Sequence, residues 1–120
     1  MSRLRTKEAK KKYDDYIAAG GLSDGCELCK KDTQVEFKHW RVVENIFPYD
    51  RVAENHDMLI PLRHKKEIDL NDAEKDELYQ IKQDYVSEKY HFILEASNPT
   101  KSIPQHFHLH LLKIKDNLNI

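Results

Sequence analysis

Three histidines at every second position, His106, His108 and His110, are the residues whose type and spacing most directly imply chemistry. Bulky apolar residues, Phe107 and Leu109, fill the gaps, and Leu111 and Leu112 follow. In an extended strand successive side chains point to opposite faces, so the three imidazoles share one face and Phe107, Leu109 and Leu111 share the other. At about 3.3 Å rise per residue, neighbouring imidazoles stand roughly 6.5–7 Å apart. Imidazole titrates near neutrality, and its neutral form is a nucleophile, a general base or a metal ligand. A strand that needed only a solvated face would be served as well by Thr, Lys or Glu.

The second pattern is Cys26-Glu27-Leu28-Cys29, which follows Gly25 and holds the chain's only two cysteines. A Cys-x-x-Cys can be a zinc knuckle, a redox dithiol or two unrelated thiols. The redox reading wants a strand before the pair and a helix after it. Here the helix stop Gly20-Gly21 precedes it, which favours half of a zinc site. Two thiolates supply two ligands of four, and with seven histidines in the chain, His is the obvious donor of the others.

These residues must be positioned by the elements around them. Residues 3–19 read as a helix, with Leu4, Tyr13, Tyr16 and Ile17 as a partial apolar stripe and the glycine pair as its stop. The cluster Lys10-Lys11-Lys12 reads as a solvated helix face. Val35 and Phe37 mark a short strand, and Trp40, Val42, Val43, Ile46 and Phe47 a longer one closed by Pro48. Residues 49–55 read as a loop, and Met58-Leu59-Ile60 as a buried strand stopped by Pro61. Residues 71–89 form the clearest helix, with Asn71 as N-cap, Glu74 completing a capping box, and Leu78, Ile81 and Tyr85 as its buried stripe. Residues 90–96 read as a strand, residues 97–100 as a turn, and the histidine strand follows. The order α, β, β, β, α, β, β points to an α+β fold, an antiparallel sheet packed by helices.

At 120 residues the chain is one domain, divided into an N-terminal auxiliary helix over 1–21 and a core over 25–113. Its composition is 39% apolar and 34% charged, soluble but not disordered. A formal net charge of −1 makes no electrostatic case for nucleic acid or an anionic membrane. No apolar run is long enough to span a bilayer, and the start lacks an apolar segment after its basic residues. The expected compartment is the cytoplasm, where Cys26 and Cys29 stay reduced.

The histidine pattern, His-φ-His-φ-His-φ-φ with φ apolar, resembles the signature of the histidine triad (HIT) superfamily, which includes nucleotide hydrolases and nucleotidyl transferases. The resemblance extends to Cys26-x-x-Cys29 and to residues 56–64, which look like the family's strand ending in Ile-Pro-x-x-His. It implies a five-stranded antiparallel meander with a central helix, here with an extra N-terminal helix. It also implies that His108 is the nucleophile, attacking the α-phosphorus of a purine nucleotide derivative to form a nucleotidyl-histidine. The substrate would be a phosphoramidate or a dinucleoside polyphosphate, with His110 as a phosphate partner. Several such proteins hold a structural zinc ion through residues matching Cys26, Cys29, His64 and His106. His56 is the rival for His64, and otherwise falls where relatives carry a histidine near the ligand. By the same resemblance Asn45 reaches the ribose, Ile46 and Phe47 line the base pocket, and Asn98 and Ser102 contact phosphate. Dimerisation is a further implication, although the N-terminal helix could cover the usual interface. The chain departs from the pattern before the triad, where residues 98–105 replace a Gly-rich stretch and leave the leaving group open.

Two other readings compete. Three histidines could ligate the metal of a metal-dependent hydrolase, although a third ligand from one strand is strained. Alternatively the chain is a non-catalytic, zinc-stabilised module that binds nucleotides.

Overall fold

The computed structural model describes residues 2–23, 25–97, 100–101 and 103–116. Five strands form one antiparallel sheet: β1 Val35–Glu36, β2 Trp40–Glu44, β3 Ala53–Pro61, β4 Phe92–Leu94 and β5 Leu109–Ile114, in the order β1-β2-β3-β5-β4. The first three run as a meander. The helical excursion after β3 delivers β4 to the outer edge, and β5 returns to fill the gap beside β3. The histidine-bearing strand is therefore internal, paired on both sides, with His110 opposite Met58 and Leu94.

Alternation along the internal strands sorts side chains into two cores. Trp40, Val42, Leu59, Phe107, Leu109 and Leu111 face one way and pack against Leu70, Ile81 and Val86 of the helical layer. Val43, Met58 and Ile60 face the other way with Leu28, and Tyr49, Ala53 and Leu112 continue that side. Both faces of the sheet are covered. Hence the imidazole face is not a solvated one: His106, His108 and His110 are 1%, 7% and 6% exposed.

The helical layer is α3, Asp72–Ile81, continued by a π-helical stretch Lys82–Val86 and a last turn Ser87–Lys89. Its start is the capping box expected at Asn71 and Glu74, with both reciprocal hydrogen bonds made. Glu74 is itself buried, and accepts from Lys65 Nζ at 2.8 Å and from Asn71 N at 2.9 Å.

Several boundaries differ from the sequence reading. The N-terminal helix is α1, Lys7–Ala18, preceded by a 3-10 turn Ser2–Leu4. Thr6 caps it, and Asp50 explains why it begins there: its carboxylate accepts from Thr6 N and Thr6 Oγ1, both at 2.8 Å. β3 starts at Ala53, within the stretch read as loop, because pairing with β5 extends it. β2 ends at Glu44, so Ile46 and Phe47 leave the sheet. β5 begins at Leu109, so His106 and His108 precede the ladder. No helix among the described residues is long and apolar enough to cross a membrane.

Candidate active site and metal cluster

The sequence places Cys26 and Cys29 at the start and within α2, Glu27–Lys30, a single turn. Arg41 on β2 holds that turn against the sheet, donating to the carbonyls of Leu28 at 2.7 Å and Lys31. Leu28 fills the core beneath. Both thiols then face the residues just beyond β3 and just before β5. Cys26 Sγ lies 3.5 Å and Cys29 Sγ 3.4 Å from His106 Nδ1, and Cys29 Sγ lies 3.3 Å from His64 Nδ1. The four donor atoms fall within 4.8 Å of one another. A tetrahedral ion bound at about 2.3 Å to sulfur and about 2.0 Å to nitrogen separates those atoms by roughly 3.6 Å, so the donor set fits a metal ion with little movement.

His106 is prepared for that role. Its Nε2 faces the Pro61 carbonyl at 3.3 Å, which places the proton there and leaves Nδ1 free to ligate. Burial lowers its pKa to about 4, so it is neutral as a ligand must be. The cluster contains His64 and not His56. Among the described residues it is the one group of three or more metal-capable side chains.

The other two histidines of the triad open onto a different space. A cleft is floored by His108 and His110 and walled by Asn45, Ile46, Phe47 and Tyr49 from the loop after β2. Its remaining walls include Arg5, Tyr13 and Tyr16 from the N-terminal segment, Leu28 and Lys31 near α2, and Thr100, Lys101 and Ile103 before the triad. His108 Nδ1 sits 2.9 Å from the His106 carbonyl. A carbonyl only accepts, so Nδ1 carries the proton and Nε2 keeps its lone pair. Burial lowers the His108 pKa, which keeps the ring neutral.

His110 is fixed by a relay. Tyr49 N donates to His56 Nδ1 at 3.0 Å, which forces the His56 proton onto Nε2. His56 Nε2 lies 2.8 Å from His110 Nδ1, so His110 accepts there and carries its own proton on Nε2. That N–H points to the Tyr49 hydroxyl at 3.4 Å, a long contact that a better acceptor can replace. Burial, and after it the nearby positive charge of Arg5, lowers the His56 pKa to about 3. Burial, His56 and His108 lower that of His110 to about 2. The two rings therefore floor one cleft with their centroids 5.3 Å apart, His108 keeping a lone pair on Nε2 and His110 a donor on Nε2.

His56 therefore backs His110 from behind the cleft. Asn45 lines the cleft, its Oδ1 accepting from Phe47 N at 2.9 Å. Ile46 is 57% exposed at the rim, which removes it from the core. Phe47 packs edge-on against Tyr13 and at a tilt against Tyr16. Asn98 and Ser102 lie outside the described residues. Sequence reasoning missed Arg5, Tyr13, Tyr16 and Tyr49 as cleft residues; nothing in their local pattern marks them, since long-range docking brings them there.

No protein-family model matches the sequence, and no curated protein matches it. Solved structures do. The chain is similar to a HIT family hydrolase from Clostridium thermocellum, at 18% identity and a TM-score of 0.55 over 81% of this chain and 96% of that one. It is similar to a HIT family hydrolase from Legionella pneumophila, at 23% identity and a TM-score of 0.51 over 73% and 91%. A histidine triad protein from Clostridium difficile matches at 19% identity and a TM-score of 0.50 over 88% and 90%. At these identities the likeness establishes the fold: this chain has the histidine triad fold.

Proposed function

We propose that the protein is a nucleotide hydrolase or nucleotidyl transferase that works at the α-phosphate of a purine nucleotide derivative through a nucleotidyl-histidine. The observation that carries this reading is the His108 tautomer, proton on Nδ1 and lone pair on Nε2 inside the cleft. Neighbours of the same fold named hydrolases support the reaction class.

His108 Nε2 attacks the α-phosphorus, and the bond from phosphorus to the leaving oxygen or nitrogen breaks with its electron pair. The leaving group takes up a proton, and His108 stays joined as a cationic nucleotidyl-histidine. Water then attacks phosphorus, loses a proton, and releases the nucleoside monophosphate and neutral His108. His110 Nε2–H faces the charge that grows on the non-bridging oxygens and exchanges its long contact with Tyr49 for a charge-assisted one. A neutral donor suffices, which is consistent with a His110 held neutral by burial. Aromatic Phe47 and the exposed Ile46 suit a base, and Asn45 suits a ribose hydroxyl.

The metal assigned to Cys26, Cys29, His64 and His106 is zinc, because two thiolates and two imidazoles in a closed tetrahedral set favour it. All four positions would come from the protein, so its part would be structural: Cys26, Cys29 and His64, beyond β3, would be tied to His106 at the start of the catalytic segment.

Mass spectrometry of protein quenched during reaction with adenosine phosphoramidate tests the reading. One adenylyl group is expected on His108, and none on His108→Ala. Full turnover by His108→Ala would sink it.

A further inference from the structure

Arg5 is buried, 8% exposed, yet among the described residues no carboxylate pairs with it. Its Nε donates to the Phe47 carbonyl at 2.9 Å. Its guanidinium carbon lies 4.2 Å from the centre of the Tyr13 ring and 4.9 Å from that of Tyr49. The group lines the cleft, and the Tyr49 ring is 5.1 Å from the His110 ring. Its charge reaches the reactive end, because it helps depress the pKa of both His56 and His110.

A buried cation without an anionic partner is costly, and stacking on two rings offsets only part of that cost. The fold nevertheless holds it rigidly. Thr6, the next residue, is clamped by two hydrogen bonds to Asp50, and Arg51 N donates to the Leu4 carbonyl on the other side at 3.1 Å. Nε and the two ring faces are committed, so the remaining N–H groups of the fork are what the cleft receives. Lys101 is also in the cleft wall, but it is already paired with Glu95 at 3.1 Å. A planar fork with free donors, lining the same cleft as His110 and stacked on the Tyr49 ring between them, matches phosphate oxygens.

We propose that Arg5 is a substrate-binding residue, the charge that holds the phosphoryl oxygens of the nucleotide, so that α1 and its leading turn are part of the active site and not an accessory. This rests on the nucleotide reading above. α1 also adds Tyr13 and Tyr16 to the wall beside Phe47, and docking of the N-terminal segment through Asp50 is what completes the cleft.

Calorimetric titration of AMP and of adenosine into wild type, Arg5→Gln and Arg5→Lys tests this. Loss of a charge-assisted contact to phosphate weakens AMP about ten- to a hundredfold. Adenosine, which lacks the phosphate, is expected to change less than about twofold. Arg5→Lys keeps the charge and is expected to fall between wild type and Arg5→Gln. Equal weakening of AMP and adenosine would show that Arg5 only docks α1 and would overturn the proposal. AMP binding by Arg5→Gln equal to wild type overturns it too, and so does Arg5→Lys with no preference for AMP over adenosine. A wild-type protein that forms the adenylyl adduct while Arg5→Gln binds AMP normally overturns this inference alone. A wild type that binds neither ligand and forms no adduct overturns the nucleotide reading beneath it.

Discussion

Acid should weaken this fold, and the relay behind the cleft sets how much. His56 and His110 are 4% and 6% exposed and face each other across 2.8 Å, with Arg5 as a nearby cation. In the unfolded chain each takes up a proton near the ordinary histidine value of about 6.5. In the folded chain His56 waits until about 3 and His110 until about 2. Between those values the unfolded state binds more protons, so their contribution is full above about pH 6.5 and is lost as pH falls. At about pH 5.5 a group of this kind costs RT ln 11, about 1.4 kcal/mol, against about 0.2 kcal/mol at about pH 7. The pair together therefore removes about 2.5 kcal/mol between those pH values. The assay is urea unfolding at both pH values for wild type, His56→Asn and the double variant His56→Asn, His110→Asn. Asparagine Oδ1 stands where Nδ1 was and can still accept the Tyr49 N–H. The expected acid loss shrinks by about 1.2 kcal/mol for each imidazole removed. A double variant that loses as much stability as wild type between about pH 7 and about pH 5.5 would refute the reasoning.

Two further perturbations probe the supports of the site. Cys29→Ser removes one donor of the Cys26, Cys29, His64 and His106 set; native mass spectrometry is expected to show loss of one bound zinc, and a melting scan a lower midpoint that chelation does not lower further. Glu74→Ala leaves the largely buried Lys65 ammonium without its carboxylate and takes away half of the capping box, so chemical denaturation is expected to show a loss of about 3 kcal/mol. Because the Lys65 carbonyl accepts from Phe107 N at 2.8 Å, amide exchange is expected to quicken around residues 106–108 in the same variant.

Periodicity carried much of the fold. The alternation in residues 106–112 already separates Phe107, Leu109 and Leu111 from the imidazoles, and the structure puts those three in one core. The Asn71–Glu74 box marks the start of α3 because a cap is a local interaction, written within four residues. Boundaries were less legible where pairing at a distance decides them. β3 runs back to Ala53 only because β5 lies beside it, and α1 waits for Lys7 because Asp50 holds Thr6.

For the site, the sequence by itself determined the chemical groups: three alternating imidazoles, two thiols three residues apart, and His64 beyond the Ile-Pro strand. Residue type and short spacing are enough for that, since they set reactivity and the face of a strand. Only the tertiary structure decided what each group does, because roles depend on neighbours far along the chain. Two thiols about eighty residues away bring His106 into a donor set that could hold a metal, while a backbone carbonyl sets the His108 tautomer and Tyr49 with His56 sets that of His110. Arg5 is the clearest case. Nothing near it in sequence marks it, and its place in the cleft wall exists only because Asp50, Arg51 and Phe47 dock the N-terminal segment there.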